Sequence, residues 1–328
     1  MSNFVRRWAA FLLGPFVVLL GAVAQEPVTP TTVKLPTAWM VGDKVEITLE
    51  KSRTKTEGHT ATKLGGSTST AVVEVVERRD TGWLFRWTWG GTDVEAAKPG
   101  ESTFLAEKLA NLTKGLRVDL VMDRYGSVID VENVDELVEM NKRVLAELEA
   151  ALKEAGQPEG MVERVMQTVA PLTTPDAVKV SMSRDAGQLF NMNGGSFAIG
   201  ETIVDKDKRA NPLGGPAIDV EIRIGCDGVD EAENAAIIRQ RQIFDPRQAA
   251  ISMHAMAQQL RGEQGASAPA PEDLPKVEIT DETVWTHDLR TGWPTECFHE
   301  RVTRVGIRHQ TTQSRFTLRI LPRASESK

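Results

Sequence analysis

Four large rings stand at every second position between residues 83 and 89. Trp83, Phe85, Trp87 and Trp89 alternate with Leu84, Arg86 and Thr88. Successive side chains of a strand point to opposite faces, so this segment carries one broad aromatic face that must be covered. On a helix the same four rings would be spread around the axis, and no single partner would bury them. The segment therefore demands a place in a sheet with one protected side. Weaker versions of the alternation recur along the chain. Val45, Ile47 and Leu49 form one, Val72 to Val76 another, and Val118, Leu120 and Met122 a third, which returns through Ile129 and Val131 after the turn Arg124-Tyr125-Gly126-Ser127. Later candidates span 196–204, 217–226, 233–243, 276–288, 295–308 and 312–321, with turns at Asp227-Gly228 and Gly292-Trp293-Pro294. Roughly eleven strands joined by short turns point to antiparallel pairing.

A helical block interrupts the strands. A short helix suits 103–113. Asn133, with Glu136 three residues on, has the form of a capping box. It opens a stripe of Leu137, Met140, Val144, Leu148 and Leu152 that closes near Gly156. Met161, Val162, Val165, Met166 and Val169 define a second helix that Pro171 stops. Thr174-Pro175 pairs a cap with a first-turn proline, opening a third helix through Val178 and Met182. Asp245-Pro246 starts a further helix whose stripe is Ala249, Ala250, Met253, Met256, Ala257 and Leu260. No βαβ alternation is present. The fold class that follows is α+β: one domain over 38–322, built on a large curved antiparallel sheet. Its β parts are 38–131 and 195–322, its central helical block is 133–192, and one further helix, 245–262, packs on the sheet. The Gly/Ala/Ser/Pro segment 262–275 reads as a solvated loop.

The first 24 residues read as a cleavable signal peptide: Arg6 and Arg7, an apolar run from Trp8 to Leu20, then Ala22-Val23-Ala24 before Gln25. The run is shorter than the ~18 to 20 residues a permanent span needs, so no integral membrane span is expected after cleavage. The expected location is outside the cytoplasm, periplasmic or extracellular. Residues 25–37 form an extended lead-in and 323–328 a tail. A net charge of −7, with basic residues scattered among the acids, offers no footprint for nucleic acid. Cys226 and Cys297, the two cysteines, would form a disulfide in an oxidising compartment, closing a loop for roughly 4 kcal/mol, or else stay as separate buried thiols.

Motifs of catalysis and metal binding are absent. His59, His254, His287, His299 and His309 show no zinc spacing, although His287, His299 and His309 would cluster if neighbouring C-terminal strands aligned them. Ser52-Arg53-Thr54-Lys55 spells Ser-x-x-Lys in a strand, where that motif needs a helix. Gly194-Gly195-Ser196-Phe197 leads into a strand and lacks the closing glycine of a nucleophile elbow. The carboxylates Asp227, Asp230, Glu231 and Glu233 do not follow a calcium-loop order, nor does Asp205-Lys206-Asp207-Lys208. No catalytic residue, metal or cofactor is assigned. The apolar constellations say more. Met140, Met161, Met166, Met253 and Met256 lie on helix faces, and with the Trp83/Phe85/Trp87/Trp89 face they would line a lipid-sized cavity or fill an ordinary core.

An exported chain of many antiparallel strands around a helical block resembles half-barrel proteins of the lipoprotein-carrier type. The strand pairs at 116–131 and 276–321 bear the likeness, including the Asp288-Leu289-Arg290-Thr291-Gly292-Trp293-Pro294 turn. The resemblance implies an apolar ligand held between sheet and helices. The expectation is thus a non-enzymatic envelope or periplasmic protein that binds a lipid, another apolar ligand or an envelope protein. The alternatives are a hydrolase with a site assembled from distant residues, and a structural or assembly module that binds through a sheet edge.

Overall fold

Alternation becomes a ladder wherever a strand finds its neighbour in register. The computed structural model describes residues 31–96, 104–209, 211, 216–261 and 274–322. The expected signal peptide, most of the 262–275 loop and the 323–328 tail lie outside the described residues. In chain order the elements begin with β1 Thr32–Lys34, β2 Lys44–Glu57, β3 Thr60–Arg79 and β4 Gly82–Glu95. Next come α1 Phe104–Leu112, β5 Arg117–Asp123, β6 Val128–Val131, α2 Val134–Glu154 and α3 Glu159–Val169. A 3-10 turn at Ala170–Thr173 leads to α4 Pro175–Phe190, β7 Ser196–Ala198, β8 Thr202–Arg209, β9 Ile218–Asp230 and β10 Ala235–Phe244. The last are α5 Pro246–Arg261, β11 Val277–Asp288, β12 Pro294–Val305 and β13 Arg308–Leu321.

Eleven of the strands form one open antiparallel sheet, ordered β6-β5-β4-β3-β2-β13-β12-β11-β10-β9-β8. The parts before and after the helices are therefore one sheet, joined where β13 pairs with β2 from Leu321↔Lys44 to Arg308↔Glu57. β1 and β7 form a separate two-stranded ribbon.

The strands run longer than hydrophobic alternation alone suggests. The polar stretch on both sides of the Gly58-His59 turn, Gly65-Gly66 included, is itself strand: the ends of β2 and β3 carry Thr, Lys and Ser rather than an apolar face. The 196–204 candidate divides into β7 and β8 around Gly200, which has φ +78°. Asp227-Gly228 is not a turn: it lies within β9, beside a register shift between Ile237 and Ile238 of β10, and the chain reverses at 231–234. The lead-in is not a free arm beyond residue 31. Leu35 donates its amide to the Gly195 carbonyl at 2.9 Å, and Trp39 is 2% exposed.

Helix starts follow the chemistry of their caps. Thr174 Oγ1 accepts from the Ala177 amide at 3.4 Å, and Pro175 occupies the first turn of α4. Asn133 does not cap α2 with its side chain. Its Oδ1 accepts from the Asp119 amide at 2.9 Å and its Nδ2 donates to the Arg117 carbonyl at 2.9 Å, pinning the helix start to β5.

Two apolar clusters occupy the same face of the sheet. The larger joins Val45, Val73, Phe85, Leu120, Trp285 and Phe316 to Leu137 of α2 and Val178, Leu189 and Phe190 of α4. The smaller lies under α5, where Ala249 and Ala250 meet Ile218, Val220, Phe244, Val277 and Ile279. Cys226 and Cys297 are both free and buried, which corrects the disulfide expectation. They stand in one row across the sheet with Ile238 and Trp285 between them. Three strand spacings of about 4.8 Å separate their backbones by about 14 Å, twice what a disulfide spans.

Candidate functional site

The aromatic face of β4 packs against the protein itself. Phe85 is fully buried and meets Trp39 at a ring separation of 5.0 Å, Phe190 at 5.7 Å and Trp293 at 5.7 Å. Trp83 and Trp87 are also buried, and Trp89 sits at the margin, 5.5 Å from Trp87. The methionines do not converge on these rings. Met140 is buried in α2, Met161 is exposed on α3, Met166 is half-buried, and Met253 packs on the smaller cluster. The side chain of Met256 lies outside the described residues.

Between the two apolar clusters the covered face changes character. One row across the sheet reads Cys226, Ile238, Trp285, Cys297, Phe316 and Leu49. The next row on the same face reads Ile224, Gln240, Thr283, His299, Ser314 and Lys51, and the one after it Ile222, Gln242, Asp281, Arg301, Thr312 and Arg53. Two successive rows are thus polar from β10 to β2. That Lys51 shares the helix-bearing face is shown by its ion pair to Asp185 of α4 at 3.2 Å. Gln240, Asp281, Thr283 and Ser314 are all buried.

Asp281 is the anchor of this belt. Its Oδ1 accepts from Arg301 Nε at 2.6 Å and its Oδ2 from Arg301 Nη2, while His299 Nε2 stands 3.7 Å from Oδ2. Burial opposes ionisation of the carboxyl, but the Arg301 hydrogen bonds and the adjacent His299 outweigh it and hold Asp281 below the ordinary carboxylate range. Burial likewise works against the Arg301 charge, and the paired carboxylate more than restores it.

Asp281, His299 and Ser314 together name the residue types of a hydrolytic triad, but their arrangement does not form one. His299 Nε2 stands 3.7 Å from Asp281 Oδ2, too far for a hydrogen bond, and no hydrogen bond joins His299 to Ser314. The ladder from β11 to β13 also takes up the nearby amides, so the floor presents no pair of free N–H groups for an oxyanion. What the belt does offer is hydrogen-bonding capacity in a sheltered place.

At its β8–β10 end the belt opens into a cavity of about 320 Å3. Ile222, Ile224 and Gln240 form its floor, Ile203, Asp205 and Arg209 of β8 one wall, and Met192 and Asn193 of the α4–β7 connection with Phe197 of β7 its roof. Asn193 is 4% exposed; its Nδ2 donates to the Gly292 carbonyl, and its Oδ1 has no hydrogen-bond partner. The cavity therefore combines an apolar floor and roof with a few placed polar groups, the usual make-up of a small-molecule site.

The C-terminal histidines do not gather. His287 is fully buried at the end of β11, His299 lies in the belt, and His309 pairs with Thr56 and Arg304, on the other face. No group of metal-ligating side chains is present among the described residues. The belt itself was missed in the sequence, although its mark is there. Asp281 and Thr283 stand at inward positions of β11, between Ile279 and Trp285.

No protein-family model and no curated protein sequence matches the chain. Among solved structures it is similar to one described as lipid–protein interactions in lipovitellin, at 9% identity and a TM-score of 0.43. That likeness covers 86% of this chain and 25% of the other, so the chain spans a quarter of its length. A porin-like protein from Bacteroides uniformis gives 11% identity and a TM-score of 0.18, over 87% of this chain and 100% of the other.

Proposed function

We propose that the protein is an exported, non-enzymatic binding protein for a small amphipathic ligand held between β8–β10 and the α4–β7 connection. The observation that carries this reading is the cavity at the border of apolar cluster and polar belt. Ile222, Ile224, Met192 and Phe197 suit an apolar body, while Gln240 and Arg209 suit a polar end. A volume of about 320 Å3 fits one short chain or a single ring system rather than a multi-chain lipid. Export rests on the leader, whose basic pair, apolar run and Ala22-Val23-Ala24 site support secretion.

Native mass spectrometry of the mature protein from the exported fraction, followed by organic extraction, tests the reading. One bound small molecule per chain is expected, and Ile224→Trp, which fills the cavity floor, should abolish it. A clean apo mass, together with failure to bind a fluorescent fatty-acid analogue, would sink the proposal.

A further inference from the structure

Three successive positions on the helix-bearing face of β2, starting at the margin of α4, carry the exposed Lys51, Arg53 and Lys55. Residues two apart on one strand face stand about 7 Å from each other, close enough for like charges to repel. The facing inward positions of β13 carry no acid: Ser314, Thr312 and Gln310 stand opposite Lys51, Arg53 and Lys55. On the far side of β13 the same two rows hold His299 and Arg301. The hydroxyls of Thr312 and Ser314 therefore lie between basic residues from both neighbouring strands.

Carboxylates account for every cation of this patch but one. Asp185 takes Lys51 at 3.2 Å, Glu57 takes Lys55 at 3.5 Å and Arg308 at 2.8 Å, and Asp281 takes Arg301. Arg53 is exposed and has no ion pair among the described residues. Arg301 spends Nε and Nη2 on Asp281 and keeps its remaining amino group, on a side chain 36% exposed. Packing gives no reason for a cation at position 53, since no apolar cluster includes it.

We infer that Arg53, Arg301, Thr312 and Ser314 form an oxyanion subsite that takes a phosphate group, by charge-assisted hydrogen bonds from two guanidinium groups and two hydroxyls. The subsite is separate from the cavity. Its centre on β13 lies three strand spacings from β10, about 14 Å. The phosphate has two possible sources, a free anion or the head of an amphiphile.

Isothermal titration of the mature protein at low salt, with inorganic phosphate and with octyl phosphate, tests the assignment. At least one of the two should bind, and Arg53→Gln and Thr312→Val should each weaken it about tenfold. Lys63→Gln, a surface lysine paired with Glu95, should leave it unchanged. Binding of inorganic phosphate alone identifies a free anion as sufficient; binding of octyl phosphate only identifies an amphiphile head. Ile224→Trp should leave phosphate binding intact, so failure of the cavity reading and failure of this one are told apart. Absence of binding to both probes, or binding indifferent to Arg53→Gln, would overturn the subsite.

Discussion

Replacing Arg301 with methionine leaves Asp281 charged and 6% exposed, with only His299 near it. Breaking a buried pair from one side costs about 3 to 5 kcal/mol, because the remaining charge has lost its water and its partner. Asp281→Asn should cost less, since Arg301 is 36% exposed at the side chain and reaches solvent. The double variant should recover part of the loss. Urea titrations of the four proteins check the order, and equal costs for the two single variants would contradict it. His287 has a different consequence. Burial holds its pKa down to about 4, and the Gly292 backbone only partly offsets that. Above pH ~6.5 the ring is neutral folded or unfolded and contributes no pH dependence. As pH falls below ~6.5, the unfolded chain takes up a proton that the folded one refuses until about pH 4. Stability should therefore decline over this window, by about 2 kcal/mol between pH 7 and 5, and His287→Gln should remove that slope. Unfolding curves at the two pH values measure it. The pair of cysteines contributes no such switch; burial pushes both thiols up, away from the reactive thiolate.

At the scale of elements, the turn between β11 and β12 is a tight constraint. Gly292 has φ +74°, and a Cβ there would stand 2.0 Å from the Pro36 carbonyl oxygen. Gly292→Ala must both strain the backbone and push Pro36 and Thr37 away from the turn, so a loss of more than about 3 kcal/mol is expected. Thermal melts would show it; a melting point within a few degrees of the parent would refute the contact. Elements whose apolar residues mark a period were legible in the sequence. The Trp83–Trp89 strand, the Leu137–Leu152 stripe and the Thr174-Pro175 helix start all appear near their expected places. The distal arms of β2 and β3 were not, because neither of their faces carries an apolar stripe. Trp39 was hidden for another reason: a single aromatic in a Pro/Thr-rich segment has no periodicity, and only the tertiary fold shows its place among Phe85, Phe190 and Trp293. The candidate site was illegible as a site because its parts come from six strands, and only register aligns them. Single polar residues such as Thr283 look like noise until their neighbours do the same.

For the whole molecule, the ladder between β2 and β13 decides how folding proceeds. It pairs residues about as far apart in sequence as Lys44 and Leu321, and it alone joins the two halves of the sheet. Such contacts must overcome a large loop-closure entropy, so refolding should be slow, in milliseconds to seconds or longer. The other nine neighbouring pairs in the large sheet are all between strands consecutive in sequence. At the exception, Leu321 at the end of β13 faces Lys44 at the start of β2, as two arms of a hairpin would. The sheet is thus one continuous zigzag of eleven strands with a single missing bend, the one between β13 and β2. A circularly permuted chain, opened at the exposed Gly156 turn and linked from Pro322 to Thr31, would bring β13 and β2 close together in sequence. It should reach the same structure faster than the natural order does, as stopped-flow tryptophan fluorescence would register.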